Sequence, residues 1–313
     1  MDAAYGPRMG KAFTIAKNVV MDFLDDKAMT WAAAIAFYSS LSFGPLLVLL
    51  LWGASLLGQG MQDKLMAQFE GLIGEQAAPA VRQVMQNAEE SPARGLAAVI
   101  SFGVLLFSAS GVFAQLQAAL NAVFDVKAAP TSSATAGVWA YLRRRLLSMG
   151  MIATLLFILV VSLVASTFLQ TTAGAVGLES GEESWAGPAI SLVVNLLVFT
   201  GLFTVMFKLL PDVKLLWKPA LAGAVSTAVL FALGKFGIGV YLAHASVGSS
   251  YGAAGSLLVL LVWVYYSAII VMLGAEITQA IAFGLGMPVE PDEHAVWADD
   301  EGAKAPKRER EVA

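Results

Sequence analysis

Cysteine is absent from this 313-residue chain, so disulfides, thiolate metal sites and thiol nucleophiles are all excluded. Histidine occurs only twice, at His244 and His294, too few for a histidine-rich metal centre. Charge is scarce as well. Asp, Glu, Lys and Arg make up 13% of the residues, against about 25% in ordinary soluble domains. The scarcity is patterned: none of the four occurs from Ala28 to Gln62, from Gly95 to Phe124, or from Leu146 to Leu178. An uncharged run longer than about 20 residues can cross a bilayer as a helix, and three in one chain are hard to place in soluble cores.

What is present is apolar: hydrophobic residues are 58% of the chain. Reading for apolar runs predicts an all-α integral membrane bundle with spans at about 33–57, 95–117, 147–170, 186–207, 219–242 and 255–282. The first 27 residues carry charges throughout, from Arg8 to Lys27. They lack the apolar core of a signal peptide, so span one is expected to stay as an uncleaved helix. Orientation follows from the positive residues. Fifteen Lys and Arg lie before span one, between spans two and three, between spans four and five, and after span six; three lie on the opposite side. Both termini are therefore expected in the cytoplasm. Trp31, Trp139 and Trp217 fall at inner boundaries and Trp185 at an outer one, as interfacial anchors should.

Two amphipathic stretches lie outside the spans. Phe13, Ala16, Val20, Phe23 and Leu24 recur at helical spacing, which predicts an N-terminal interfacial helix in the headgroup region. Between spans one and two, Leu65, Met66, Phe69, Leu72 and Ile73 form one apolar face and Ala80, Val81, Val84, Met85 and Ala88 another. An outer helical hairpin over 61–90 is the expectation. Residues 1–287 then read as one membrane domain. From Pro288 onward the chain is charged and short of aliphatics, which predicts a disordered cytoplasmic tail over 288–313.

Two ionisable residues remain within the later spans, Lys235 in span five and Glu276 in span six, and such charges are functional candidates by default. At 1.5 Å per residue, Lys235 lies roughly 24 Å past the inner entry of its span, and Glu276 about 31 Å past the outer entry of its own. They are expected near opposite faces, not as a pair. In one reading Lys235 snorkels outward and Glu276 rests near Lys208 or Lys218. In the other, Lys235 points into the packing. Ala220, Ala224, Ala228 and Ala232 recur every fourth position, with Gly223 and Thr227 alongside, in register with Phe231 and Lys235. Glu276 follows Gly274 and Ala275, with Gln279 one turn on, and offers a carboxylate able to carry a proton.

Pro45 sits in the middle of span one and removes a main-chain hydrogen bond; Ser39, Ser40 and Ser42 stand just before it to restore bonding. An interrupted helix is one place where transporters put their sites, and a proline kink is also ordinary in membranes. Gln115, Gln117 and Asn121 end span two, where amides can bridge helices or meet a polar headgroup. Gly248 to Gly252 fits G-x-S-x-G, with Tyr251 inside it and His244 nearby. A nucleophile elbow needs a strand-to-helix turn and an acid-oriented histidine, and this pentapeptide is a loop between two apolar spans with no acidic residue from Val213 to Ala275. No nucleotide-binding glycine loop or metal-ligand spacing appears, so no cofactor and no enzyme are expected.

Several segments together carry a resemblance. Span one has Ala32 to Tyr38 and then Phe43-Gly44-Pro45-Leu46-Leu47; span two ends Ser110-Gly111-Val112-Phe113 and Leu116 to Asn121. The C-terminal half has Leu210-Pro211-Asp212, Lys235 with Tyr241, Tyr251-Gly252-Ala253, Trp263-Val264-Tyr265 and Gly274-Ala275-Glu276. Over roughly residues 15–285 this resembles the YihY/virulence factor BrkB family of bacterial inner-membrane proteins, with Gly44 standing where a bulkier residue is expected before the proline. The resemblance implies six membrane helices. It also brings an older ribonuclease label, which two histidines and no clustered carboxylates do not support, so no nucleic-acid partner is expected. Links of the family with serum resistance and with lipid-A-type glycolipids point to an envelope exporter of an amphipathic or lipid-like substrate, in contact with membrane lipids. The alternative is a non-transporting scaffold. Candidates for a substrate or ion pathway are Lys235, Glu276, Gln279, Pro45, Ser42, Gln117, Asn121 and Tyr251.

Overall fold

The computed structural model describes residues 6–56, 94–129, 186–244 and 255–298, with the single positions Gly60 and Ala67. Its helices are α1 (Gly6–Asp25), α2 (Ala28–Leu56), α3 (Arg94–Val123), α4 (Ala186–Leu209), α5 (Trp217–His244) and α6 (Gly255–Gly284). Two short strands, β1 (Val126–Ala128) and β2 (Ala295–Trp297), pair antiparallel. The protein is thus mostly helical, with this small sheet as an addition the helical expectation did not include. Span three and the outer hairpin over 61–90 lie outside the described residues.

Stretches of α4, α5 and α6 are long and apolar enough to cross a membrane: Leu192–Leu209, Trp217–Tyr241 and Leu258–Gly284, with mean hydropathies of 2.0, 1.7 and 2.3. The faces of α5 show why. Ala220, Ala224, Thr227 and Ala228 are fully buried, while Leu221, Val225, Val229, Leu233, Phe236 and Val240 form an exposed apolar stripe on another side. In water a stripe of that length would be an association surface. Against lipid it needs no partner, because small residues pack the helices while aliphatic ones meet the hydrocarbon.

The described chain divides into two compact units. One gathers residues 1–26, 120–229 and 273–313; the other gathers 27–119 and 230–272. Unit one centres on Leu120, Phe124, Phe207, Leu215, Thr227, Glu276 and Thr278, all fully buried. In unit two, Ala28, Ala32, Ile35 and Ala36 of α2 are buried, and the Phe231 and Trp263 rings meet edge to face at 6.1 Å.

Helix ends follow from local chemistry. α6 stops in a left-handed turn at Gly286 (φ 65°), where Met287 N–H donates to Ala282 O and Gly286 N–H to Phe283 O, both at 2.9 Å. That is the double-bonded C-cap for which glycine is best suited, and Pro288 next in line prevents the helix from resuming. α3 ends similarly at Asp125 (φ 55°), and α5 accepts Pro219 because the first turn has no intrahelical partner for that N–H. α3 therefore runs to Val123, beyond the expected end of span two, and Asn121 is a helical residue.

The expected disorder from 288 is corrected for residues 288–298. They are folded: β2 pairs with β1, and Pro291 bridges Val213. Composition misled here because the segment is held by main-chain groups, which composition does not report. Residues 299–313 lie outside the described residues.

Candidate functional site

The site is built where α5 and α6 meet in unit one. Gly223 of α5 lies against Thr278 of α6, and Gly274 of α6 lies against Thr227 of α5. A Cβ added to Gly223 would stand 2.6 Å from Thr278 Cβ, closer still to its Oγ1, and 2.9 Å from its Cα. One added to Gly274 would stand 2.6 Å from Thr227 Cγ2, closer still to its Oγ1. Each helix therefore presents Gly-x-x-x-Thr to the other, and the antiparallel run makes the contacts reciprocal. Each threonine is fully buried and its hydroxyl donates to the carbonyl four residues back, Thr227 to Gly223 O and Thr278 to Gly274 O, both at 2.7 Å. The hydroxyls are thus satisfied within their own helices, as a low-dielectric setting demands.

The same stretch of α6 carries two further buried polar side chains. Glu276 is 2% exposed and Gln279 is 5% exposed, on a helix long and apolar enough to cross a membrane. Asn121, also buried, serves a different contact. Its Nδ2 donates to Asp212 Oδ2 and its Oδ1 accepts from Asp212 N–H, each at 2.8 Å. This two-pronged bond fixes the end of α3 to the α4–α5 connection and occupies both ends of the amide. Asp212 is the partner that sequence reading left without a role, although Leu210-Pro211-Asp212 stood among the segments carrying the resemblance. In the same connection, Lys208 Nζ donates to Leu215 O and lies 5.8 Å from the centre of the exposed Trp217 ring.

The other candidates fall elsewhere. Lys235 belongs to unit two and is half-buried, as is Gln117. Ser42 is buried in unit two, but its hydroxyl donates to Tyr38 O at 3.0 Å, and Ser40 donates to Ala36 O at 2.8 Å. Pro45 does not interrupt span one: α2 continues from Ala28 to Leu56 with the proline inside it. Of the two readings, the continuous helix agrees with an ordinary membrane proline, since a helix tolerates the loss of one hydrogen bond when the flanking turns remain intact. Tyr251 lies outside the described residues. Neither unit by itself gathers all the candidates, and unit one holds Asn121, Glu276 and Gln279. Among the described residues no group of three His, Asp or Glu side chains is placed to hold a metal ion.

Long apolar helices with outward aliphatic stripes and small-residue packing define a helical membrane protein. The family model for virulence factor BrkB matches residues 19–292, and the chain belongs to that family. It is 26% identical over 278 residues to a UPF0761 membrane protein of Rhodospirillum centenum, covering 88% of this chain and 59% of that one. It is 36% identical over 100 residues to one of Tolumonas auensis, covering 32% of this chain and 33% of that one. With a relative from Aeromonas salmonicida it shares 26% identity over 299 residues, covering 90% and 96% of the two chains. The chain thus spans less than two thirds of the first two relatives and nearly all of the third. No solved structure matches it.

Proposed function

We propose that this protein is a multi-pass inner-membrane transporter that moves an amphipathic or lipid-like substrate, with both termini on the cytoplasmic side. The observation that carries the reading is Glu276. A carboxylate 2% exposed, inside a helix apolar enough to cross the membrane, is retained at a free-energy cost that a plain packing role does not explain. Gln279, three residues on and equally enclosed, gives the same face a second polar group. Of the exposed apolar side chains of α1, Phe13, Val20, Met21 and Leu24 lie on one side of the helix with Lys17 and Ile15 lies on another, and the four together support placement in the headgroup layer.

Reconstitution tests it. Purified protein in phosphatidylethanolamine/phosphatidylglycerol vesicles should speed transfer of an acyl-labelled fluorescent phospholipid between leaflets, and Glu276→Gln should abolish that activity while the protein remains folded. Wild-type protein that leaves transfer at the rate of empty vesicles would overturn the proposal in favour of a scaffold.

A further inference from the structure

Residues 287–298 leave α6 through the Gly286 turn and cross two connections in succession. The first is the α4–α5 connection, where Lys214 N–H donates to Glu290 O at 2.7 Å, Asp292 N–H donates to Asp212 O at 2.9 Å, and Val213 bridges Pro291. The second is the chain after α3. Here β2 pairs with β1, Ala129 N–H donates to His294 O, Ala298 N–H donates to Asp125 O, both at 2.9 Å, and Lys127 Nζ reaches Ala298 O at 3.4 Å. One segment therefore fastens the end of α3, the α4–α5 connection and the end of α6. These are the ends that the charge distribution assigns to the cytoplasm.

The fastening is shallow. Val289 and Ala295 are its buried side chains, whereas Pro288, Glu290, Asp292, Glu293 and His294 are exposed. Segments held by main-chain bonds with little apolar burial open locally at a fraction of the global unfolding free energy. The Asn121 bonds use the Asp212 N–H and Oδ2 whereas the strap uses the Asp212 carbonyl, so the strap can lift while α3 and the α4–α5 connection stay joined.

We propose that residues 287–298 are a gate strap, closed in this structure, whose release uncovers the cytoplasmic ends of α3, α5 and α6 for substrate passage while the Asn121–Asp212 bond and the Gly223/Thr278 contact hold those ends in place. The proposal rests on the transporter reading. It makes the C-terminal segment part of the transport cycle and not a passive extension.

The absence of cysteine makes the test clean, because any disulfide is the engineered one. The bonds at 129/294 and 125/298 mark the wide, hydrogen-bonded positions of the ladder. The pairs 128/295 and 126/297 are then the narrow ones, with Cα atoms about 4.5 Å apart, within disulfide reach. Ala128→Cys/Ala295→Cys, oxidised in the same vesicles, should lose phospholipid transfer to the level of empty vesicles and regain it with reductant. Each single-cysteine variant should keep wild-type transfer under oxidation. Val126→Cys/Trp297→Cys serves as a second lock if the first pair disturbs folding. An oxidised lock that transfers as fast as its reduced form overturns the gate and leaves the transporter reading standing. Wild-type protein that transfers nothing overturns both.

Discussion

Helices α5 and α6 touch in both units, and they touch in different ways. In unit one the contact is made at main-chain distance: Gly223 faces Thr278 so closely that its added Cβ would meet the threonine Cα at 2.9 Å. In unit two, Gly234 faces the far ends of long side chains, Ile270 Cδ1 at 2.6 Å and Tyr266 OH at 2.8 Å from an added Cβ, and the Phe231 and Trp263 rings meet edge to face. A main-chain contact has no rotamer with which to adjust. A contact through side-chain ends has several. The same helix pair is therefore fixed in spacing in one unit and adjustable in the other, and the buried carboxylate belongs to the fixed one.

Substitutions can break this contrast, and the largest effect belongs to Gly223. Gly223→Ala should destabilise the protein by about 3 kcal/mol or more in a reversible detergent-denaturation titration, and Thr278→Ala should fail to restore it because the Cα obstacle remains. Gly274→Ala should cost about 1–3 kcal/mol in the same titration. It should be partly rescued by Thr227→Ala, which removes the nearest atoms and leaves Thr227 Cβ at 2.9 Å. Next in size is Asn121→Leu, which removes the two Asn121 hydrogen bonds to Asp212 and should cost about 1–3 kcal/mol without altering helix content by circular dichroism. Gly234→Ala should change stability by less than about 1 kcal/mol, since Ile270 and Tyr266 can swing aside while alanine favours the helix. The smallest effect is at Gly237, where an added Cβ meets nothing within 4 Å. Gly237→Ala should stabilise by about 0.5–1 kcal/mol. A Gly234→Ala loss as large as that of Gly223→Ala would erase the distinction between the units.

The helices were legible because their signal is local. Apolar runs placed α2, α4, α5 and α6 within a few residues, and the four-residue alanine spacing marked the face of α5 whose Ala220, Ala224 and Ala228 are buried. What the sequence did not disclose depends on partners distant along the chain. Asn121 and Asp212 are separated by 91 positions, and neither residue type announces the other. The Gly223/Thr278 and Gly274/Thr227 contacts need the register of an antiparallel pair, which hydropathy does not set. The proline in α2 left two readings open, because a missing hydrogen bond is visible in sequence while the surrounding turns that tolerate it are not.

The stitching of residues 287–298 is done mainly by amides and carbonyls, which every amino acid except proline supplies in full. Substitutions along this segment can therefore leave its path unchanged. The match to the family model ends at residue 292, yet folded chain continues to Ala298. Where a backbone carries the attachment, the path of the segment does not depend on which side chains it bears.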